Sequence, residues 1–399
     1  MTVSATQPAM APLGLIRSAL LVMGSWCTVL AAGAIAPVLP QMRAVFADTP
    51  SVDLLIGFVA TAPSLAVALL ALPIGFLADR IGLRPVLLGG LLIFGFSGVA
   101  PLFLLDTLPQ IVALRFVTGI GEAAVMTAST ALIGLMTIGA GRSRLLAAQA
   151  VSANLLGIGV LLAGGAAGLL GWRMPFLAYA FSLVIFVPVL VLIRPATDKP
   201  SSESTGERAR WPRALSALLV ETCLLIAWST IGLYAAILEV GFLLAERGAT
   251  DSAQIGIGQA IVAIGITSGA MAGGLLARTT TRFRLILAYG AIAVGAGLIA
   301  IASGRWDTSV AGALAGFGCG LMIPTLLSRL LGQSPAGLLG RVTGIWVAAT
   351  FLAQFASPPL FLLLRRIAGS MSGGFALFGA ITLIFLLVIS VRRDRWATK

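Results

Sequence analysis

Twelve apolar runs follow one another along the chain, each near or above the roughly 20 residues that an α-helix needs to cross about 30 Å of hydrocarbon. They fall at about 15–38, 54–77, 86–105, 109–136, 144–169, 175–193, 215–238, 254–277, 285–303, 309–332, 340–363 and 373–391. Lipid offers no hydrogen-bond partner to a bare N–H or C=O, so runs of this length must be helices. The weak alternation that marks a membrane barrel is absent. The predicted fold class is an all-α membrane protein of twelve transmembrane helices, spans 1 to 12 in chain order.

Composition agrees with that reading and removes several others. Apolar residues make up 59% of the chain and charged ones 10%, with a mean hydropathy of +1.05, which excludes a soluble globular domain. The formal charge of +12 does not imply a nucleic-acid partner, because the cations are distributed as membrane topology demands. With the N-terminus in the cytoplasm, nineteen of the 26 Lys and Arg fall on the cytoplasmic side, six on the other, and Arg115 within a span. Arg365-Arg366 is the one pair that pulls against this rule. Both termini are thus expected in the cytoplasm, and the preponderance of Arg over Lys points to a bacterial inner membrane. The first run, Leu15 to Leu39, is longer than a signal-peptide core and is kept as an uncleaved span.

The chemistry of enzymes is not signalled. There is no His, no Cys pair at ligand spacing and no Walker loop, so no metal, no cofactor and no ATP hydrolysis are expected. Cys27, Cys223 and Cys319 fall in different spans and read as small hydrophobes.

One long polar segment, 194–213, is rich in Pro, Ser and charge and reads as a cytoplasmic linker. It divides the chain into an N-terminal six-helix bundle (1–193) and a C-terminal one (214–399). The halves are weakly self-similar. Gly75-Phe-Leu-Ala-Asp79 corresponds to Gly274-Leu-Leu-Ala-Arg278, and Thr118-Gly-Ile-Gly-Glu122 to Ala315-Gly-Phe-Gly-Cys319. The offsets, 199 and 197, are those of two parallel, pseudo-symmetric bundles.

Between spans 2 and 3 lies Gly75-Phe-Leu-Ala-Asp79-Arg80-Ile-Gly82-Leu-Arg84, read as a short charged turn. Gly75 is expected to permit close helix approach, Asp79 to cap or salt-bridge, Gly82 to take a positive φ, and Arg80 and Arg84 to stay at the headgroups. This order resembles the loop signature of the major facilitator superfamily, with Leu83 in place of one usual basic residue. The resemblance implies a secondary transporter working by alternating access, with the loop as a conformational clasp.

Arg115 and Glu122 in span 4 are seven residues apart, two helical turns, and so share a face about 10.5 Å apart along the axis. Lipid exposure would cost each at least about 2.5–3.5 kcal/mol, so both are expected to face the interior. The stretch from Arg115 through Gly119 to Gly121 resembles a second signature of the same superfamily, found in proton-coupled members, with Thr118 where Gln is frequent; it implies a role for Arg115 in proton transfer. Without imidazole, any side-chain proton carrier must be a carboxylate displaced by burial or another group far from its usual range. Glu122 fits best, Glu221 in span 7 comes second, and Glu239 reads as interfacial.

Span 5 carries Gly157, Gly159, Gly164, Gly165 and Gly168 before the turn Gly171-Trp-Arg-Met-Pro-Phe176. Glycines at this spacing allow backbone-to-backbone packing. They resemble the superfamily's exporter signature, with Gly165 where that signature has Pro. Trp26, Gln149, Asn154, Trp228, Tyr234, Gln259, Trp346 and Gln354 are polar or amphipathic groups within spans that either line a substrate pathway or join helices.

The resulting functional expectation is proton-driven export of a small amphipathic organic compound, as in the drug and sugar efflux branch that these motifs resemble. Proton-coupled uptake of a small organic solute or anion is the alternative, and a non-transporting membrane sensor or assembly factor a third. The expected partners are substrate, protons and lipid, with one chain sufficient for a pathway.

Overall fold

The computed structural model describes residues 14–103, 106–137, 139–193 and 212–391. The interbundle linker lies outside these residues except for its last two positions, as does the cationic tail from Arg392. Among the described residues, twelve helices are long and apolar enough to span a membrane: Leu15–Val45, Val52–Ile81, Leu83–Leu102, Leu108–Met136, Arg144–Gly168, Met174–Leu192, Leu215–Glu246, Ser252–Arg278, Thr281–Ile301, Arg305–Gly332, Leu339–Ala368 and Met371–Val391. They form two six-helix bundles, each with its own apolar core. One centres on residues such as Leu39, Phe94 and Phe176, the other on Tyr289, Met322 and Phe361.

Glycine explains how the helices come so close. At Gly119 an added Cβ would sit 2.3 Å from the Pro63 carbonyl oxygen of span 2, and at Gly121 it would sit 2.4 Å from the Phe94 nitrogen of span 3. The second bundle repeats the device. A Cβ on Gly316 would meet Val262 and Ile266 of span 8, and one on Gly318 would lie 2.3 Å from the Ala288 oxygen of span 9. The repeat read from the sequence is therefore a repeated crossing, in which spans 4 and 10 each wedge between the two preceding helices of their half.

Two pairs of long helices join the bundles, span 2 with span 11 and span 5 with span 8. Gly57 meets Pro358 so closely that a Cβ there would stand 2.3 Å from its ring, and Phe58 stacks on Phe355 at 4.8 Å. Gly165 and Gly168, late in span 5, meet Ser252 at the start of span 8, whose hydroxyl donates to the Gly165 carbonyl at 2.8 Å. These contacts lie toward the face that carries Asp53, Ser252 and Arg365. Gly164 packs instead on the Ala34 carbonyl of span 1, and Gly159 has nothing within 4 Å.

The Asp79 segment differs from the turn expected of it. Span 2 stays helical through Ile81 and span 3 begins at Leu83, so Gly75, Asp79 and Arg80 sit on the last turns of a helix and Gly82 alone makes the break. Gly82 does adopt a positive φ, 93°. Gly75 has nothing within 4 Å and serves no close approach. Asp79 is exposed and makes no cap or ion pair among the described residues. Arg84 turns back into the protein, donating from Nη2 to the Leu190 carbonyl at 2.7 Å. That oxygen is among the last four of span 6, which lack an intrahelical donor.

Candidate functional site

Arg115 is wholly buried, and two interrupted helices supply its partners. Pro63 in span 2 has no N–H, which leaves the carbonyl four residues earlier, Val59, without its helical donor. Arg115 Nε donates to that oxygen at 2.8 Å. Span 1 is broken as well: its helix stops at Gly33 and resumes past Pro37. Near that break the Ala31 carbonyl accepts from Arg115 Nη2 and from the Tyr179 hydroxyl, the latter at 2.9 Å. The Tyr179 ring lies 5.0 Å beneath the guanidinium carbon, adding a cation–π contact. Arg115 Nη1 has no hydrogen-bond partner among the described residues.

Glu122 is 3% exposed and faces the interior of the first bundle, near Cys27 and within hydrogen-bonding reach of Thr28. It forms no direct ion pair with Arg115 among the described residues. An acid and a guanidinium are thus held on one helix, within electrostatic reach of each other and without a direct ion pair among the described residues.

Beside them runs a polar seam between the bundles. Ser64 of span 2 and Tyr234 of span 7 both donate to Gln354 Oε1 of span 11, at 2.9 and 3.0 Å. This one amide oxygen thereby joins both halves, and Tyr234 lies within electrostatic reach of Glu122 and Arg115.

The other polar and amphipathic residues expected either to line a pathway or to join helices make the following contacts. Trp26 donates to Ser152 at 3.1 Å and stacks on Phe181, while Gln149 is buried and donates to the Leu21 carbonyl at 3.2 Å. Asn154 donates back along its own helix to Ala150. Trp228 turns to span 12, bonding Thr382 at 2.9 Å and stacking on Phe378 and Phe385. Trp346 packs in the core of the second bundle. Gln259 donates to the Ile237 carbonyl at 2.7 Å, within a π-helical turn over Ala235–Glu239.

Two further acids lie in the second bundle. Glu221 is held by Arg329 of span 10 at 3.5 Å. Glu239 is half-buried in a recess between the bundles rather than at an open interface. Sequence reasoning missed Tyr179, Thr28, Ser64 and the two carbonyls that hold Arg115. The Val59 acceptor carried a signal in Pro63 four residues on; Tyr179 and Ser64 carried none.

The comparisons with known proteins follow this architecture. The family model described as Major Facilitator Superfamily matches residues 21–358. The enterobactin exporter EntS of Shigella flexneri is 28% identical over 345 residues, 80% of each chain. The EntS of Salmonella choleraesuis is 28% identical over 342 residues, again 80% of each. Among solved structures, the inward-open xylose transporter XylE from E. coli superposes with a TM-score of 0.73 at 14% identity, covering 94% of this chain and 95% of that one. A bacterial homologue of the lysosomal transporter Spinster, inward-facing, gives 0.73 at 15% with the same coverage. The chain is a multi-pass membrane transporter, not an enzyme, and belongs to the Major Facilitator Superfamily.

Proposed function

We propose that this transporter exports a small amphipathic organic compound in exchange for protons, with Glu122 as the carboxylate that carries the proton and Arg115 as the cation that sets its charge balance. The observation that carries the reading is the pairing of a buried, non-ion-paired Glu122 with a buried Arg115 beside the Ser64–Gln354–Tyr234 seam. An acid within electrostatic reach of Tyr234 on this seam would experience a different surrounding in each state as the bundles rock. Export is favoured by the exporters among the curated relatives. Glu221 is less suited to carry a proton, because Arg329 already balances its charge.

We further propose that the Asp79 face is cytoplasmic and that this conformation is the one open toward it. The Gly57–Pro358 and Gly165–Ser252 contacts lie toward the opposite face, and Asp79 makes no ion pair among the described residues. The fold then carries both termini in the cytoplasm of a bacterial inner membrane, with boundaries at 193 and 214.

A second reading, uptake of a small organic anion with protons, is supported by Nη1 of Arg115, which has no hydrogen-bond partner among the described residues. Proteoliposomes with an imposed proton gradient decide between them. Antiport predicts that a proton gradient drives cargo against the direction of proton flow; co-accumulation with protons overturns it in favour of the second reading.

A further inference from the structure

At the face where the bundles are joined, a recess opens beside the Gly57–Pro358 contact and brings together Arg43 and Asp53 from the first bundle and Glu239 and Arg365 from the second. Arg43 Nε and Asp53 Oδ1 form an ion pair at 2.5 Å. Glu239 makes neither an ion pair within 4.0 Å nor a hydrogen bond among the described residues, although Arg365 and Asp53 both lie within its electrostatic reach. The recess therefore sits on the seam that must part if this face is to open, and its charges come equally from the two sides of that seam.

The local backbone explains why an acid points here. Glu239 closes the π-helical turn Ala235–Glu239, and such a turn rotates the residues that follow it out of α-helical register. The turn is held from span 8 by the Gln259 amide on the Ile237 carbonyl, and Gly241 leaves room for that amide, since a Cβ there would stand 2.5 Å from it. The charged groups facing Glu239 are Arg365 from span 11 and Asp53 from span 2, with Arg43 of span 1 bound to Asp53; span 8 presents the neutral Gln259. The cluster also accounts for Arg365, whose side of the membrane opposes the distribution of the other cations: it answers a carboxylate.

We propose that Glu239 is the acid-responsive positioning residue of the gate that closes this face. With its carboxylate ionised, two positive and two negative charges balance across the seam and favour the joined bundles. A proton taken from the bathing solution leaves a neutral carboxyl and one unbalanced positive charge, which shifts the population toward the parted state. Acid on this side would thus favour the opening of this face. The proposal rests on the alternating-access reading but not on Glu122 being the carrier.

The test is the accessibility of the recess, not transport. Leu362 lines it, so L362C, in a chain with the three native cysteines replaced, reports opening through its labelling rate with a membrane-impermeant thiol reagent. Labelling is expected to accelerate several-fold when the pH on this face falls from about 8 to about 5, a window spanning the titration of partly buried carboxylates. E239Q labels at the acid rate at both pH values, and E239D keeps the acceleration. In R365Q, protonation balances the cluster instead of unbalancing it, so the acid acceleration is lost; this variant decides the matter if E239Q does not fold. The acid response survives in E122Q, which separates failure of the gate from failure of the coupling reading. Absence of acceleration in L362C alone, or acceleration undiminished in E239Q or R365Q, overturns the proposal.

Discussion

The arrangement around Arg115 depends on a proline that makes no ionic contact. Pro63 removes the donor that would have occupied the Val59 carbonyl, and a guanidinium from another helix takes its place at 2.8 Å. P63A restores an N–H to span 2 and offers Val59 a competing intrahelical donor. The expected outcome is a several-fold loss of transport with the thermal midpoint maintained or raised, measured in proteoliposomes and by thermal unfolding. A purely structural role for Pro63 would move the midpoint and leave transport alone. R115K should fare worse than its conserved charge implies, because a single ammonium cannot reproduce a planar fork held by carbonyls of two helices. Arg115 and Glu122 were legible in the sequence because a charge in an apolar run has few tolerable places. Their supports were not, since Tyr179 and Thr28 become neighbours only through helix packing.

At the scale of helices, the glycines are sites of contact rather than general flexibility. G119A would bring a Cβ to 2.3 Å from a backbone oxygen that has no room to retreat, and overpacking of this kind costs about 1–3 kcal/mol. A lowered thermal midpoint is expected, whereas G75A, in open space, should leave it unchanged. G57A acts on the seam between bundles instead. Its Cβ would strike Pro358, so the joined state is disfavoured and recess labelling at L362C should rise even at neutral pH. The sequence repeat anticipated the paired crossings at Gly119 and Gly316, because close helix contact demands glycine at both. It did not reveal that span 2 continues through Asp79: a Gly and two charges read as a turn, whereas the chain beyond the apolar run stays helical until Gly82 requires a φ of 93°.

At the scale of the whole molecule, the two bundles make close glycine contacts toward the face of Asp53, Ser252 and Arg365, and Asp79, near the other end of span 2, makes no ion pair among the described residues. Under the alternating-access proposal, Asp79 would find its contacts in the opposite state, with its own face closed. D79N should therefore lower turnover without reducing the amount of protein in the membrane; an unchanged rate counts against the clasp. Span count and the positions of the signature motifs made the two-bundle fold readable from the sequence. The conformation was not, because it depends on the balance between two seams built from similar residues.

The central claim is that proton movement is coupled to transport through Glu122, and it is tested most directly by measuring transport against pH in proteoliposomes containing E122Q beside the unaltered protein. Gln preserves the shape and hydrogen-bonding reach of the side chain and removes its proton. The account predicts that E122Q still binds substrate, detected as thermal stabilisation by the ligand, but no longer responds to an imposed proton gradient. Transport by E122Q at the original rate with the original pH profile would contradict it.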